Sequence, residues 1–175
     1  MILKRIKYKK VLKYLLISIF VLILMNIIYS YISKTEIKNI YTNKAYTIGV
    51  LYDIGNAGRG TTLASYKFRA KNITYKGAIS LATFDNSNPR IGKNYIVVYN
   101  SKNPSDNICF LNLEIHDSIK NYFKKDSLSQ HPIEEYQRTI DSFFFKSLTG
   151  GINKYFPPYY KKEDFPELEY LWKVK

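Results

Sequence analysis

YLLISIFVLILMNIIYSYIS, running from Tyr14 to Ser33, contains no charged residue and is built almost wholly from Leu, Ile, Val, Phe, Met and Tyr. As a helix it is about 30 Å long at roughly 1.5 Å per residue, which matches the hydrocarbon core of a bilayer. Directly before it stand Lys4, Arg5, Lys7, Lys9, Lys10 and Lys13, with no acid among them. After it the charges are mixed, with Lys34, Glu36 and Lys38. The positive-inside rule therefore places the N-terminus in the cytoplasm and residues 34 onward across the membrane. A cleaved signal peptide has a shorter apolar core that ends in small residues. Here Ile28, Tyr29, Tyr31 and Ile32 are bulky, so the run reads as a retained signal anchor. Asn26 is the one strongly polar residue deep in the run, and Ser30 shares its side of the helix. That pair is a candidate helix–helix contact, through which a homo-oligomer could form in the span. The alternative is an amide tolerated in a lone span, since no Gly-xxx-Gly motif accompanies it.

Outward from the span, the chain divides into a basic cytoplasmic tip (1–13), the transmembrane helix (14–33), a polar linker (34–45), an antiparallel β-domain (46–115) and a mostly helical C-terminal extension (116–175). Tyr66-Lys67-Phe68-Arg69-Ala70 alternates apolar and basic residues, the pattern of a half-buried strand. Lys71-Asn72 reads as a tight reversal, with Ile73 and Tyr75 alternating on the return and Gly77 ending or bending that strand. Tyr46 to Ile54, Tyr95 to Tyr99 and Asn107 to Ile115 read as further strands, separated by Gly-, Asn- and Pro-rich breaks. Their spacing predicts an α+β chain: one transmembrane helix, then a small antiparallel β-sheet or partly open β-barrel with a helical C-terminal extension. In the extension, Pro132 suits a first helical turn, and Ile133, Tyr136, Ile140, Phe143, Phe144 and Leu148 share a helical face. Gly150-Gly151 suits a stop, and Pro166 suits the start of a last short helix ending near Trp172.

The stretch from about Gly49 to Ile115 resembles a recurring pattern in uncharacterised, membrane-anchored bacterial proteins. Its elements here are a Tyr66/Phe68 hairpin strand, Tyr75/Gly77, the Gly92/Tyr95/Val97/Tyr99 strand, and Asn103/Pro104. The resemblance implies a small β-domain held at a bacterial inner (cytoplasmic) membrane, and it implies no catalytic residues. The chain departs from the pattern at Lys71-Asn72, where a Gly is expected, and in its long C-terminal extension.

Charge and composition bear on partners. The chain carries a formal net charge of +13, and the cytoplasmic tip supplies six of the cations. Lysine and its 17 tyrosines would suit nucleic acid, through phosphate neutralisation and base stacking. The expected topology holds the main domain away from cytoplasmic nucleic acid, and the tyrosines alternate as a β core does. No nucleic-acid partner is expected. The lipid bilayer, anionic headgroups and an envelope protein are the reachable partners, although a solvated basic surface also accounts for the charge.

Signals for chemistry are weak. Gly55, Gly58 and Gly60 resemble a phosphate loop in spelling, but no Lys-Ser/Thr precedes a helix there, so a hairpin loop is expected. Cys109 alternates with Leu111, Leu113 and Ile115, as a core thiol would, and pairing with His116 or His131 is the reactive alternative. Glu134-Glu135, Glu163-Asp164 and Glu167-x-Glu169 sit at helix starts or beside lysines, where dipole and surface roles suffice. Asn72-Ile73-Thr74 spells a glycosylation sequon that carries no weight in a bacterial chain. No catalytic, cofactor or metal-ligating set is expected. The aromatic Phe143-to-Tyr160 region holds more rings than a small core needs. Phe145, Tyr159 and Tyr160 are the candidate interaction surface, against the alternative that the extension completes the core. The expected function is an extracytoplasmic binding or structural module acting by protein or surface contact, and not an enzyme. An envelope enzyme with a diffuse site and a toxin-immunity factor are the rival readings.

Overall fold

The computed structural model describes residues 2–58, 60–84, 88–115, 134–149 and 158–171, and the side chains from residue 10 onward except those of 134 and 135. His116, His131, Pro132, Ile133, Gly150, Gly151, Tyr155, Phe156 and Trp172 lie outside the described residues. The chain divides into two compact units, one of residues 1–35 with 146–175, the other of residues 36–145.

Helix α1 spans Ile2–Thr42. Its segment Lys10–Thr42 is long and apolar enough to cross a membrane. Consecutive side chains from Leu15 to Ile17 and from Ile19 to Met25 are exposed, so apolar groups face outward on every side of the helix. Residues 34–42, expected as linker, continue the helix. The reason is local: Ile40 and Tyr41 are apolar neighbours that bury in the sheet unit, and packing of that turn outweighs the polarity around it.

Five strands follow: β1 Lys44–Asn56, β2 Thr62–Ala70, β3 Ile73–Ser80, β4 Asn94–Asn100 and β5 Asn107–Glu114. They form one antiparallel sheet in the order β3-β2-β1-β4-β5. The fold is thus α+β, as the strand spacing predicts. The β2–β3 reversal is the two-residue turn expected, with Ala70 opposite Ile73 and positive φ at Lys71 (48°) and Asn72 (63°). That backbone matches the twist of the flanking strands. Gly77 does not end β3; the strand runs on to Ser80. Gly77 lies directly opposite Tyr66, and a Cβ there would stand 2.5 Å from the ring carbon Cζ. Its missing side chain makes room for the tyrosine. The Gly55–Gly60 stretch is a hairpin loop, closed by Ala57 N–H donating to Thr61 O and by Asn56 Oδ1 accepting from Gly58 N–H.

The sheet curls. The Tyr66 hydroxyl on β2 donates to Asn107 Oδ1 on β5 at 2.6 Å, drawing strands from opposite halves of the sheet together. Its concave face is filled by Leu51, Tyr66, Phe68, Tyr95, Val97 and Cys109. The convex face over β1, β4 and β5 carries Tyr46, Ile96, Val98 and Phe110, and is covered by helix α2, Glu134–Thr149. Phe110 meets Phe143 at 5.2 Å and Phe144 at 6.2 Å between ring centroids, and Tyr41 meets Phe144 at 5.4 Å. The expected apolar face of the extension therefore completes the sheet's core. The C-terminal residues instead belong to the helical unit, where Lys162–Asp164 and Pro166–Leu171 form 3-10 turns that bury Phe165 and Leu168.

Candidate functional site

Three places hold the polar groups most able to act. The first lies where α2 docks on β1. Asp141 Oδ1 accepts from Gln137 Nε2 at 2.7 Å and pairs with Lys44 Nζ at 3.3 Å. The Tyr46 hydroxyl donates to Gln137 Oε1 at 3.0 Å, and Lys44 Nζ also stands 4.4 Å from the Tyr41 ring centroid. Burial pushes the Tyr46 phenol up to about 12, so it stays protonated as a donor. Asp141 is nearly enclosed, with a side chain 7% exposed against 28% for Lys44. Each group here is engaged by another, which makes this a docking device for α2. The sequence reading missed it, yet a signal was present. Gln137 and Asp141 are four residues apart on the face of Ile140 and Phe144, and a polar pair inside an apolar helical face needs a polar partner opposite.

The second place is the concave core around Cys109, which is fully buried as expected. Desolvation holds its thiol well above the usual range, the reverse of what a nucleophile requires. The Tyr66 phenol is likewise pushed up by burial. Among the described residues no group of three or more His, Cys, Asp or Glu is placed to hold a metal ion.

The third place is the helical unit. Asn26 is exposed, and its Nδ2 donates to its own helix at Leu22 O, 2.7 Å away. Ser30 is buried within this unit, and its Oγ has no hydrogen-bond partner among the described residues. One turn on, Lys34 is buried, with Nζ donating to Pro158 O at 3.0 Å. Tyr159 is exposed, while Tyr160 is half-buried and meets Phe165 edge-on at 5.9 Å. Glu163 and Asp164 serve a turn start, where Asp164 Oδ2 accepts from Lys161 N–H at 2.7 Å. Phe145 belongs to the sheet unit and is half-buried. Of the three aromatic residues expected on an interaction surface, Tyr159 is the most exposed, and the other two are part covered.

Comparison of the chain with protein-family models, with characterised proteins and with solved structures returns no match to any of them.

Proposed function

We propose that this chain is a single-pass protein of the bacterial inner membrane, with its N-terminus in the cytoplasm and its sheet unit in the envelope beyond, acting as a binding or structural module. The observation that carries this reading is α1. Its apolar side chains face outward all round, and its last turn, with Ile40 and Tyr41, is built into the sheet unit. A helix of that kind lowers its free energy by entering lipid. The six cations before the apolar run support the N-in direction. The resemblance of the β-domain to membrane-anchored bacterial proteins supports the envelope setting.

Action by contact, without catalysis, is supported by how the polar groups are used. Tyr46, Gln137, Asp141 and Lys44 engage one another, and Cys109 is sealed in the core. Exposed Tyr159 with part-covered Tyr160 in the helical unit, and separately part-covered Phe145 in the sheet unit, offer aromatic contact area for an envelope protein. Replacing Phe145, Tyr159 and Tyr160 by Ser and capturing partners from detergent-solubilised membranes tests the reading. Partners lost at unchanged thermal stability are the expected result. Unchanged partners would remove these rings from the contact.

A further inference from the structure

The β2–β3 hairpin departs twice from what its own fold favours, and each departure retains a lysine. Lys67 and Lys76 are paired directly across the strands and are both exposed. Residues so paired have Cβ atoms roughly 5 Å apart, and like charges directly opposite are destabilising. Lys71 holds φ at 48°, a left-handed position that suits Gly or Asn and crowds any longer side chain. Arg69 is exposed on the same face as Lys67 and Lys76. None of these four cations makes an ion pair among the described residues. Next to the turn, Ile73 is 56% exposed and, opposite Ala70, lies on the Phe68 face, so the tip shows a lone aliphatic group on one face and cations on the other.

The register fixes which end of the sheet this is. Lys44 at the start of β1 pairs with Asn100 at the end of β4, and Thr47 Oγ1 donates to Arg69 O at 3.1 Å. The tip therefore lies at the end where the chain enters the sheet from α1. Exposed Lys102 lies in the β4–β5 turn at that end, where Ser101 N–H donates to Asn43 O. The acid of that turn, Asp106, is occupied by Asn100 and Asn103, and Glu36 stands back along α1. The sheet unit begins at Glu36, three residues beyond the end of the apolar run at Ser33.

We infer that the β2–β3 tip is a lipid-contact site for acidic phospholipids. Ile73 enters the headgroup boundary, and Arg69, Lys71, Lys67 and Lys76 bind phosphate groups. This rests on the reading of α1 as a membrane anchor. A phosphate between Lys67 and Lys76 turns their repulsion into shared attraction. On that reading of α1 the anchor confines the sheet unit to the membrane surface, which raises the local concentration of headgroups and lets individually weak contacts suffice. The two local departures are the kind a chain retains where a residue serves something other than folding.

The test places the full chain in nanodiscs of phosphatidylcholine alone or of phosphatidylcholine with equimolar phosphatidylglycerol. Modification of Lys71 and Lys76 by an uncharged amine reagent is followed by mass spectrometry. Lys93, at the opposite end of the sheet, is the reference. Lys71 and Lys76 should react several-fold more slowly in the acidic discs, Lys93 should not change, and high salt should abolish the difference. Lys71→Gly and Lys76→Gln should each raise Tm while weakening the contact about fivefold, read as lost protection at the remaining lysine. Equal rates in the two discs, or equal slowing at Lys93, would overturn the site. Slowing by soluble polyphosphate with no effect of lipid charge would overturn the lipid reading in favour of a soluble polyanion. A chain that elutes apart from the discs would overturn the anchor itself, which is a separate failure.

Discussion

Replacing Cys109 by Ala and by Ser separates burial from reactivity at a single side chain. The thiol is enclosed by the apolar concave face, so Ala should cost little, whereas Ser should cost about 1–3 kcal/mol through an unpaired hydroxyl. Denaturant titration reads both, and a polar thiol reagent should leave the native protein unmodified. Gly77 is the second sensitive residue. Gly77→Ala sets a Cβ against the Tyr66 ring and its hydroxyl, and should destabilise by about 1–3 kcal/mol. Tyr66→Phe should lose about 1 kcal/mol with the bond to Asn107, and less in the Gly77→Ala background, because the ring has already moved. Cys109 was readable from its alternation with Leu111 and Leu113. Gly77 was not, because spacing along β3 cannot show which ring lies opposite.

Elements were legible where one face is buried and the other is not. The Tyr66–Tyr75 alternation gives the hairpin because its basic residues are exposed and its aromatics are not. The 34–45 segment misled because its polar residues suggest a linker, whereas residues 34–42 continue α1, with apolar Ile40 and Tyr41 buried in its last turn. The docking of α2 was half legible. Its apolar face was read correctly, but the polar ladder of Tyr46, Gln137, Asp141 and Lys44 depends on pairing across 91 and 97 residues, which periodicity cannot reveal. Asp141→Ala should strip Lys44 and Gln137 of their acceptor and cost about 1–3 kcal/mol, with Asp141→Asn milder. Tyr46 also gives a pH signature. Its folded value of about 12 exceeds the ordinary 10.0, so the native state holds the proton longer. Stability is then full below pH 10 and falls as pH rises toward 12, and Tyr46→Phe should flatten that decline in an alkaline melt series.

At the scale of the whole molecule, an alkaline carbonate wash should leave the chain in the membrane. A reporter active only outside the cytoplasm should be active when fused after Lys175, and an inactive but stable fusion would reverse the direction drawn from the basic tip. A chain stopped after Thr149 should keep the cooperative melt of the sheet unit, whose residues 36–145 it contains, while Lys34 loses its carbonyl partner at Pro158. The apolar helix was the most legible element, because twenty uncharged residues admit few readings and the structure holds there a helix long and apolar enough to cross a membrane, whereas a contact surface of the kind proposed follows no spacing rule. The Lys34–Pro158 bond has one further consequence, for the order of biosynthesis. The helical unit is interrupted in sequence by the sheet unit, so α1 leaves the ribosome first and waits for residues 158–171, made after the whole sheet. On the proposed anchor reading, α1 enters the membrane before Lys34 is covered, and the amine stays hydrated until residues 158–171 have been made.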